Sequence, residues 1–128
     1  MQQPTEGELA ILQVLWATGP STVRTVNEAL NARSKREIGY TTTLKLMQLM
    51  ADKGLVSRDT SKRTHVYAAQ LPEEKAQRNL LRKFVDTTFG GSASQLVLRA
   101  LGEGDASAEE LAEIKRMIQS LENKRQHD

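Results

Sequence analysis

Residues 41–69 read TTTLKLMQLMADKGLVSRDTSKRTHVYAA, and the spacing of apolar side chains changes within this stretch. Up to Gly54, apolar residues recur at helical spacing and polar residues lie opposite them. Beyond Gly54, two runs of β-prone residues flank the polar turn Ser61-Lys62-Arg63, which is the pattern of a β-hairpin. The stretch therefore predicts a helix from about Thr41 to Lys53, followed by a hairpin with a basic tip.

Two further helices are predicted before this stretch. The segment Thr5-Glu-Gly-Glu8 has the spacing of a capping box, and Gly19-Pro20 ends the helix that it opens. A short second helix carries apolar residues at three- and four-residue steps from Val23 to Leu30. Three helices followed by a hairpin is the order of a winged helix-turn-helix, in which the third helix is the recognition helix and the hairpin is the wing.

The C-terminal part is predicted to be helical again after Pro72, with breaks at Gly90-Gly91 and at Gly102-Glu-Gly104. Ser107-Ala-Glu-Glu110 has the spacing of a second capping box and opens the last helix. The sequence therefore indicates a mostly α protein with a winged-helix domain at 1–71 and a three-helix subdomain at 72–128.

We expect the second subdomain to form a homodimer, because three short helices with broad apolar stripes bury too little surface to be stable alone. The alternative is a monomer whose tail folds back on its own head. The residues expected to form the dimer contact are apolar and recur at helical spacing: Leu80, Leu81, Phe84, Val85, Leu96, Val97, Leu101, Leu111, Ile114, Ile118 and Leu121.

Composition excludes several classes of protein. The 128 residues include no cysteine, which removes disulfides, thiol nucleophiles and cysteine metal sites and fits a reducing cytoplasm. No apolar run approaches the roughly 18 residues of a membrane span. His65 and His127 are the only histidines, and no catalytic constellation or phosphate-binding glycine loop accompanies them. We therefore expect no enzyme, no metal, no cofactor and no membrane partner.

The formal net charge of +2 is too small to indicate nucleic acid binding by itself. The charge is nevertheless unevenly distributed. Residues 1–72 contain nine basic and six acidic side chains, whereas residues 73–128 contain nine basic and ten acidic ones. Within 33–63, eight basic residues face three acidic ones, which leaves a net charge of +5. This concentration fits either a DNA-binding surface or an ordinary solvated one.

Four segments in order resemble the penicillinase-repressor family of transcriptional regulators. They are TEGELAILQVLW at 5–16, GYTTTL at 39–44, MADKGLV at 50–56 and FGGSASQLVL at 89–98. The resemblance covers nearly the whole chain. It implies a dimeric winged-helix repressor of a bacterial operon, often one for β-lactam resistance or copper handling.

By this resemblance, the family's tyrosine and threonines at the start of the recognition helix fall on Tyr40, Thr41 and Thr42, which we expect to contact base edges. Short hydroxyl side chains at a helix N-terminus suit close approach in the major groove. Lys45 and Gln48 lie one turn further on and are expected to reach bases or phosphate. The alternatives are that Thr41 only caps the helix and that Tyr40 only covers the core.

Basic and polar side chains around the recognition helix are expected to contact phosphates, which position a protein on DNA without specifying sequence. In the wing these residues are Arg58, Lys62, Arg63 and Thr64. Before the recognition helix they are Arg33, Lys35 and Arg36, which alternatively are only solvated. A symmetric dimer further predicts an inverted-repeat operator in double-stranded DNA.

Two departures from the family pattern bear on regulation. Copper-sensing members carry a cysteine cluster near the C-terminus. This chain has no cysteine, which excludes direct sensing of copper by thiolates. Members that are inactivated by a sensor protease are cut at an Asn-Phe bond, and the matching bond here is Arg99-Ala100. Either induction of this protein does not use proteolysis, or the sensor protease has a different cleavage preference.

A second class of function is a protein-interaction module that uses the winged fold without DNA. Such a module does not need basic residues at the wing tip together with a small polar recognition face, so the combination favours DNA. RNA binding is disfavoured, because aromatic residues are only 4% of the chain and no stacking platform is apparent.

Overall fold

The computed structural model describes residues 3–104 and 106–127, and within these ranges it contains six α-helices and one three-stranded antiparallel sheet. In chain order the elements are α1 Glu6–Thr18, β1 Ser21–Thr22, α2 Val23–Arg33, α3 Tyr40–Asp52, β2 Val56–Asp59, β3 Val66–Ala69, α4 Glu73–Thr88, α5 Ala93–Gly102 and α6 Ala108–Gln126. This order confirms the predicted winged helix followed by three further helices.

The chain divides by its internal contacts into two compact units, Met1–Leu81 and Arg82–Asp128. The division falls inside α4, because the first turns of that helix belong to the core of the first unit through the buried Ala76. The functional boundary between 71 and 72 stays a prediction.

The capping box that was predicted for α1 is present. Thr5 Oγ1 accepts a hydrogen bond from Glu8 N at 3.2 Å, and Glu8 Oε1 accepts one from Thr5 N at 2.9 Å. The helix ends at Gly19, whose φ of +82° is in the left-handed region that favours glycine. Near that end, Trp16 Nε1 donates to the carbonyl oxygen of Leu71 at 2.9 Å and ties α1 to the segment before α4.

One apolar core lies among the three helices of the first unit and its sheet. It is made of buried side chains from α1 to the first turn of α4. Its members are Ile11, Leu12, Val14, Leu15, Val23, Val26, Leu30, Met47, Met50, Leu55, Val56, Tyr67, Leu71 and Ala76. Because α3 contributes Met47 and Met50 from one face, its opposite face is left on the surface.

The wing is an antiparallel hairpin of β2 and β3, in which Arg58 pairs with Tyr67 and Asp59 pairs with Val66. The short strand β1 also pairs with β3, which gives the strand order β1-β3-β2. Sequence patterning missed β1, because a strand of two residues shows no alternation of its own. This pairing joins the start of α2 to the wing.

Two helices of the second unit, α5 and α6, begin with side-chain caps. Ser92 Oγ accepts from Gln95 N at 3.2 Å at the start of α5. Ser107 Oγ accepts from Glu110 N at 3.1 Å at the start of α6, which is one half of the predicted capping box. Phe84 and Phe89 pack edge to face with ring centroids 5.6 Å apart.

Within the described ranges, no helix combines the length and apolar composition that crossing a membrane requires.

Candidate nucleic-acid interface

The recognition helix α3 begins at Tyr40, directly after its N-cap residue Gly39. Tyr40 is 49% exposed, and Thr41 and Thr42 are exposed beside it. Neither alternative for these positions fits this geometry, since Gly39 rather than Thr41 caps the helix and a half-exposed tyrosine does not close the core. The first turn of α3 thus presents one phenol and two hydroxyl groups to the surface.

The two faces of α3 differ as its periodicity predicted. Thr43, Met47 and Met50 are buried against the first unit, whereas Lys45 and Gln48 are exposed. Thr43 is a buried polar side chain, and its hydroxyl accepts a hydrogen bond from α2. The exposed face carries donors and acceptors of moderate length, which can reach base edges in a major groove.

A concave surface of about 580 Å³ lies between the start of α2, the exposed face of α3 and the wing, and we call it the wing groove. Five residues that sequence analysis singled out line it together, although they come from different elements. They are Tyr40, Gln48, Arg58, Arg63 and Thr64.

Other predicted residues lie on the surface but outside the lining of the wing groove. Thr41, Thr42 and Lys45 are exposed on α3, and Lys62 is exposed in the turn between β2 and β3. Their predicted roles at DNA stay predictions.

The three basic residues of the α2–α3 connection are not brought into the wing groove. Arg33, Lys35 and Arg36 are all exposed. Arg33 lines a separate hollow of about 340 Å³ beside Leu30 and Ile38. Their proposed contact with phosphates therefore has less geometric support than that of the wing residues.

Six lining residues were not identified from the sequence as DNA contacts, and three of these are polar side chains that reach the surface: Thr22, Arg24 and His65. Thr22 pairs with Val66 of β3, so the start of α2 is held beside the wing. His65 precedes that strand. The sequence does indicate that Arg24 is on the surface, since this residue lies opposite the apolar positions of α2. Only the β1–β3 pairing, however, places it in the groove.

The turn of the wing is organised around the carboxylate of Asp59. Hydrogen bonds from the side chain and backbone of Ser61 lower the pKa of Asp59, with a smaller contribution from the charge of His65. The backbone bond joins Ser61 N to Asp59 Oδ1 at 2.9 Å. The ionised carboxylate thus holds the first residues of the turn.

The three C-terminal helices α4, α5 and α6 expose large apolar side chains. Six of the residues predicted to form a dimer contact are exposed: Leu81, Phe84, Val97, Leu111, Ile118 and Leu121. The other five are half-buried: Leu80, Val85, Leu96, Leu101 and Ile114. Leu98 and Met117, which were not predicted, are exposed as well. Among the residues that the structure describes in α5 and α6, none is buried.

Comparison with protein families gives a match to the penicillinase repressor model over residues 4–120. The chain is 33% identical over 117 residues to the transcriptional regulator BlaI of Mycobacterium tuberculosis, with 77% of this chain and 83% of that protein covered. It is 24% identical over 124 residues to the penicillinase repressor of Bacillus licheniformis, with 96% and 94% covered.

Solved structures with a similar fold have lower sequence identity. The complex structure of hsRosR-S4 matches with a TM-score of 0.56 and 16% identity, covering 94% of this chain and 90% of that one. A MarR family protein from Bacillus stearothermophilus matches with a TM-score of 0.50 and 18% identity, covering 95% and 75%. These similarities confirm the winged-helix fold.

Proposed function

The chain belongs to the penicillinase repressor family and is a DNA-binding transcriptional repressor rather than an enzyme, and we propose that it binds an inverted-repeat operator as a homodimer. The observation that carries this proposal is the wing groove. There the recognition helix contributes Tyr40 and Gln48, and the wing contributes Arg58 and Arg63. Helix and wing thus share one concave surface.

We assign base reading to the exposed start and face of α3. The hydroxyl groups of Tyr40, Thr41 and Thr42 donate or accept hydrogen bonds at base edges, and the threonine methyl groups can contact thymine. Lys45 lies about one turn and Gln48 about two turns further along the same helix, and both extend the contact. A helix that enters the major groove with its N-terminal residues towards the bases is the usual docking geometry of this fold class.

Phosphate contacts are assigned to the charged rim of the groove. Arg58 and Arg63 line it, Thr64 adds a hydroxyl group, and Lys62 is exposed in the wing turn. Arg33, Lys35 and Arg36 are assigned more weakly, because they lie outside the groove. Such contacts supply affinity that depends on salt and orient the recognition helix.

The proposal of a homodimer rests on the exposed apolar side chains of the second unit. Its helices leave large apolar residues such as Phe84, Val97 and Leu121 exposed, and burying such side chains against another protein surface is favourable. A second copy of the chain supplies an identical surface, which is how closed dimers form. Two recognition helices related by a twofold axis then require an operator with inverted half-sites.

The regulated genes and the inducing event are finer proposals. The family supports an operon for β-lactam resistance or another stress response, with the repressor acting in the cytoplasm where operator DNA is found. Arg99-Ala100 is the candidate bond for a sensor protease. Both residues are exposed, but they lie inside α5, so the helix must open before an extended protease site can hold the bond. Incubation with extracts of induced and uninduced cells tests cleavage, and an intact chain in both contradicts it.

The central experiment is selection of bound DNA from random duplexes with the purified protein. We expect enrichment of an inverted repeat whose half-sites lie one or more helical turns apart. Because phosphate contacts alone still bind DNA at low salt, binding without enrichment would contradict sequence-specific recognition. No binding even at low salt would favour a winged-helix module that binds protein.

A further inference from the structure

Two asparagines of α2 bind the segment that leads into the recognition helix, and we call this arrangement the asparagine clasp. Asn31 Oδ1 accepts from Ile38 N at 2.6 Å, and Asn31 Nδ2 donates to Ile38 O at 3.1 Å. Asn27 Nδ2 donates to Ile38 O and to Thr43 Oγ1, both at 2.9 Å. Asn31 Nδ2 also lies 3.3 Å from Asn27 Oδ1, which links the two amides.

The recognition helix has no side-chain cap of its own. Gly39 occupies the N-cap position, where no side-chain hydrogen bond is made, although Thr43 N donates to Gly39 O at 3.2 Å. The preceding residues 34–37 are exposed and do not join the core. The clasp is therefore the side-chain anchor on both sides of Gly39, at Ile38 before it and at Thr43 after it.

The two asparagines lie on a helix that is packed into the core. Asn27 and Asn31 alternate along α2 with the core residues Val26 and Leu30, so the helix that carries them is packed into the first unit. Among the residues that the structure describes, no buried side-chain nitrogen or oxygen lacks a hydrogen-bond partner. A fully paired polar network of this kind defines one arrangement of the groups that it joins.

We propose that Asn27 and Asn31 are positioning residues for sequence recognition, which hold the first turn of α3 in the place where Tyr40, Thr41 and Thr42 meet base edges. This inference rests on the proposed function of those three residues. Side chains that contact bases have to be held within about 0.5 Å of the positions at which they bind. A helix start that has no side-chain cap and follows an exposed segment does not meet this requirement alone.

The clasp acts on base reading more than on phosphate binding. Hydrogen bonds from short hydroxyl side chains weaken steeply when distance or angle changes. Long side chains such as Arg58 and Lys62 reach phosphates through several rotatable bonds, so they tolerate a shift of the helix start. Loss of the clasp is therefore expected to lower the ratio of operator affinity to nonspecific affinity, while affinity for unrelated DNA changes little.

The first test uses the free protein and needs no DNA. In Asn31→Ala, the amide of Ile38 loses its acceptor, and its hydrogen exchange measured by NMR should become about tenfold faster or more, the factor carried by one lost hydrogen bond. The amides of Lys53 and Leu55 bond to carbonyls at the other end of α3 and serve as internal controls. Asn31→Asp keeps an acceptor oxygen and should retain most of the protection. Unchanged exchange at Ile38 in Asn31→Ala would overturn the clasp.

The second test measures binding to the selected operator and to a scrambled duplex of equal length. For Asn27→Ala and Asn31→Ala we expect the affinity ratio to fall at least about tenfold, the discrimination that one good base contact provides. Trp16→Phe is the matched control, because it removes a hydrogen bond of the first unit in which no group of α3 takes part.

The outcomes separate the two proposals. If the wild type does not bind its selected operator more tightly than the scrambled duplex, the proposed base reading by α3 is wrong. The proposal that the asparagines position α3 for base reading is then overturned as well. The exchange result can still support the clasp as a structural contact. If the wild type discriminates and the alanine variants retain the ratio, positioning alone is overturned. An equal loss of ratio in Trp16→Phe would assign the effect to general stability and would also overturn positioning.

Discussion

Lys53 Nζ lies 2.8 Å from Glu8 Oε2, so the C-cap residue of the recognition helix is paired with the first turn of α1. The side chain of Glu8 is 2% exposed, and that of Lys53 is 33% exposed. The second carboxylate oxygen of Glu8 accepts from Thr5 N in the capping box. One buried carboxylate thus joins a local helix cap to a contact between helices, and both of its oxygens are paired.

Lys53→Met tests this pair through stability. The substitution leaves the Glu8 carboxylate buried without its cation, which for a fully buried pair costs about 3–5 kcal/mol. Because Lys53 is one-third exposed, we expect a loss of about 1–3 kcal/mol in the free energy of unfolding. Urea unfolding at one protein concentration measures the loss, and Lys45→Met, on the exposed face of the same helix, is the matched control. The double variant with Glu8→Gln should recover part of the loss, and strictly additive effects would contradict coupling.

The same carboxylate predicts a dependence of stability on pH. Burial raises the pKa of Glu8, but hydrogen bonds from Lys53 and Thr5 and the charge of Lys53 outweigh it and hold that pKa below its ordinary value. A lowered pKa adds stability above the ordinary pKa, and this stability is lost as pH falls through the folded-state value. The difference in unfolding free energy between wild type and Glu8→Gln should therefore be largest near neutral pH and shrink in acid. Urea titrations across this range measure it, and a constant difference would refute the assignment.

Trp16→Phe tests the link between α1 and the segment before α4. The indole N–H is the donor to Leu71 O, and phenylalanine keeps the apolar ring but cannot donate. We expect a loss of about 1–3 kcal/mol, the usual cost of leaving a buried acceptor unpaired. Circular dichroism during thermal unfolding measures it, because Trp16 is the only tryptophan and fluorescence is lost with it. An unchanged midpoint would mean that water replaces the indole as donor.

Lys62→Ala and Gln48→Ala separate phosphate contact from base reading. Loss of one phosphate contact lowers the slope of log affinity against log salt by about 0.9 and weakens all duplexes alike. We expect this for Lys62→Ala, and also for Arg24→Ala, which lies in the wing groove. Gln48→Ala should instead relax preference at one base pair. Filter binding over a salt series with operator variants measures both. A selective effect of Lys62→Ala at one base pair would make Lys62 a base reader.

Leu121→Lys tests the proposed dimer. Leu121 is 64% exposed within one chain, so a lysine there does not disturb the fold of the monomer but places a charge in an apolar interface. Sedimentation equilibrium should give twice the 14.3 kDa chain mass for wild type and a shift towards one chain for the variant. Gln119→Lys adds the same charge on another face of α6 and should remain dimeric. A wild type at 14.3 kDa in micromolar solution would end the dimer proposal.

Local features were predictable from the sequence. Three such features are the capping box at Thr5, the helix end at Gly19 and the basic turn of the wing. Each depends on residues only a few positions apart, so the spacing of these residues predicts the local hydrogen bonds and the turn. The polar face of α3 follows for the same reason, since helical geometry alone separates Gln48 from Met47.

Features that join distant parts of the chain were decided only by the tertiary structure. The Glu8–Lys53 pair links residues 45 positions apart, and the asparagine clasp joins α2 to Ile38 and Thr43. Arg24 reaches the wing groove because β1 pairs with β3. Periodicity shows which side of a helix is polar, but it does not show what packs beside that side. The sequence by itself thus determined the order and faces of the elements, because these follow from local backbone geometry. The packing of those elements decided which polar groups meet, because a contact between distant residues exists only once the core has brought their helices together.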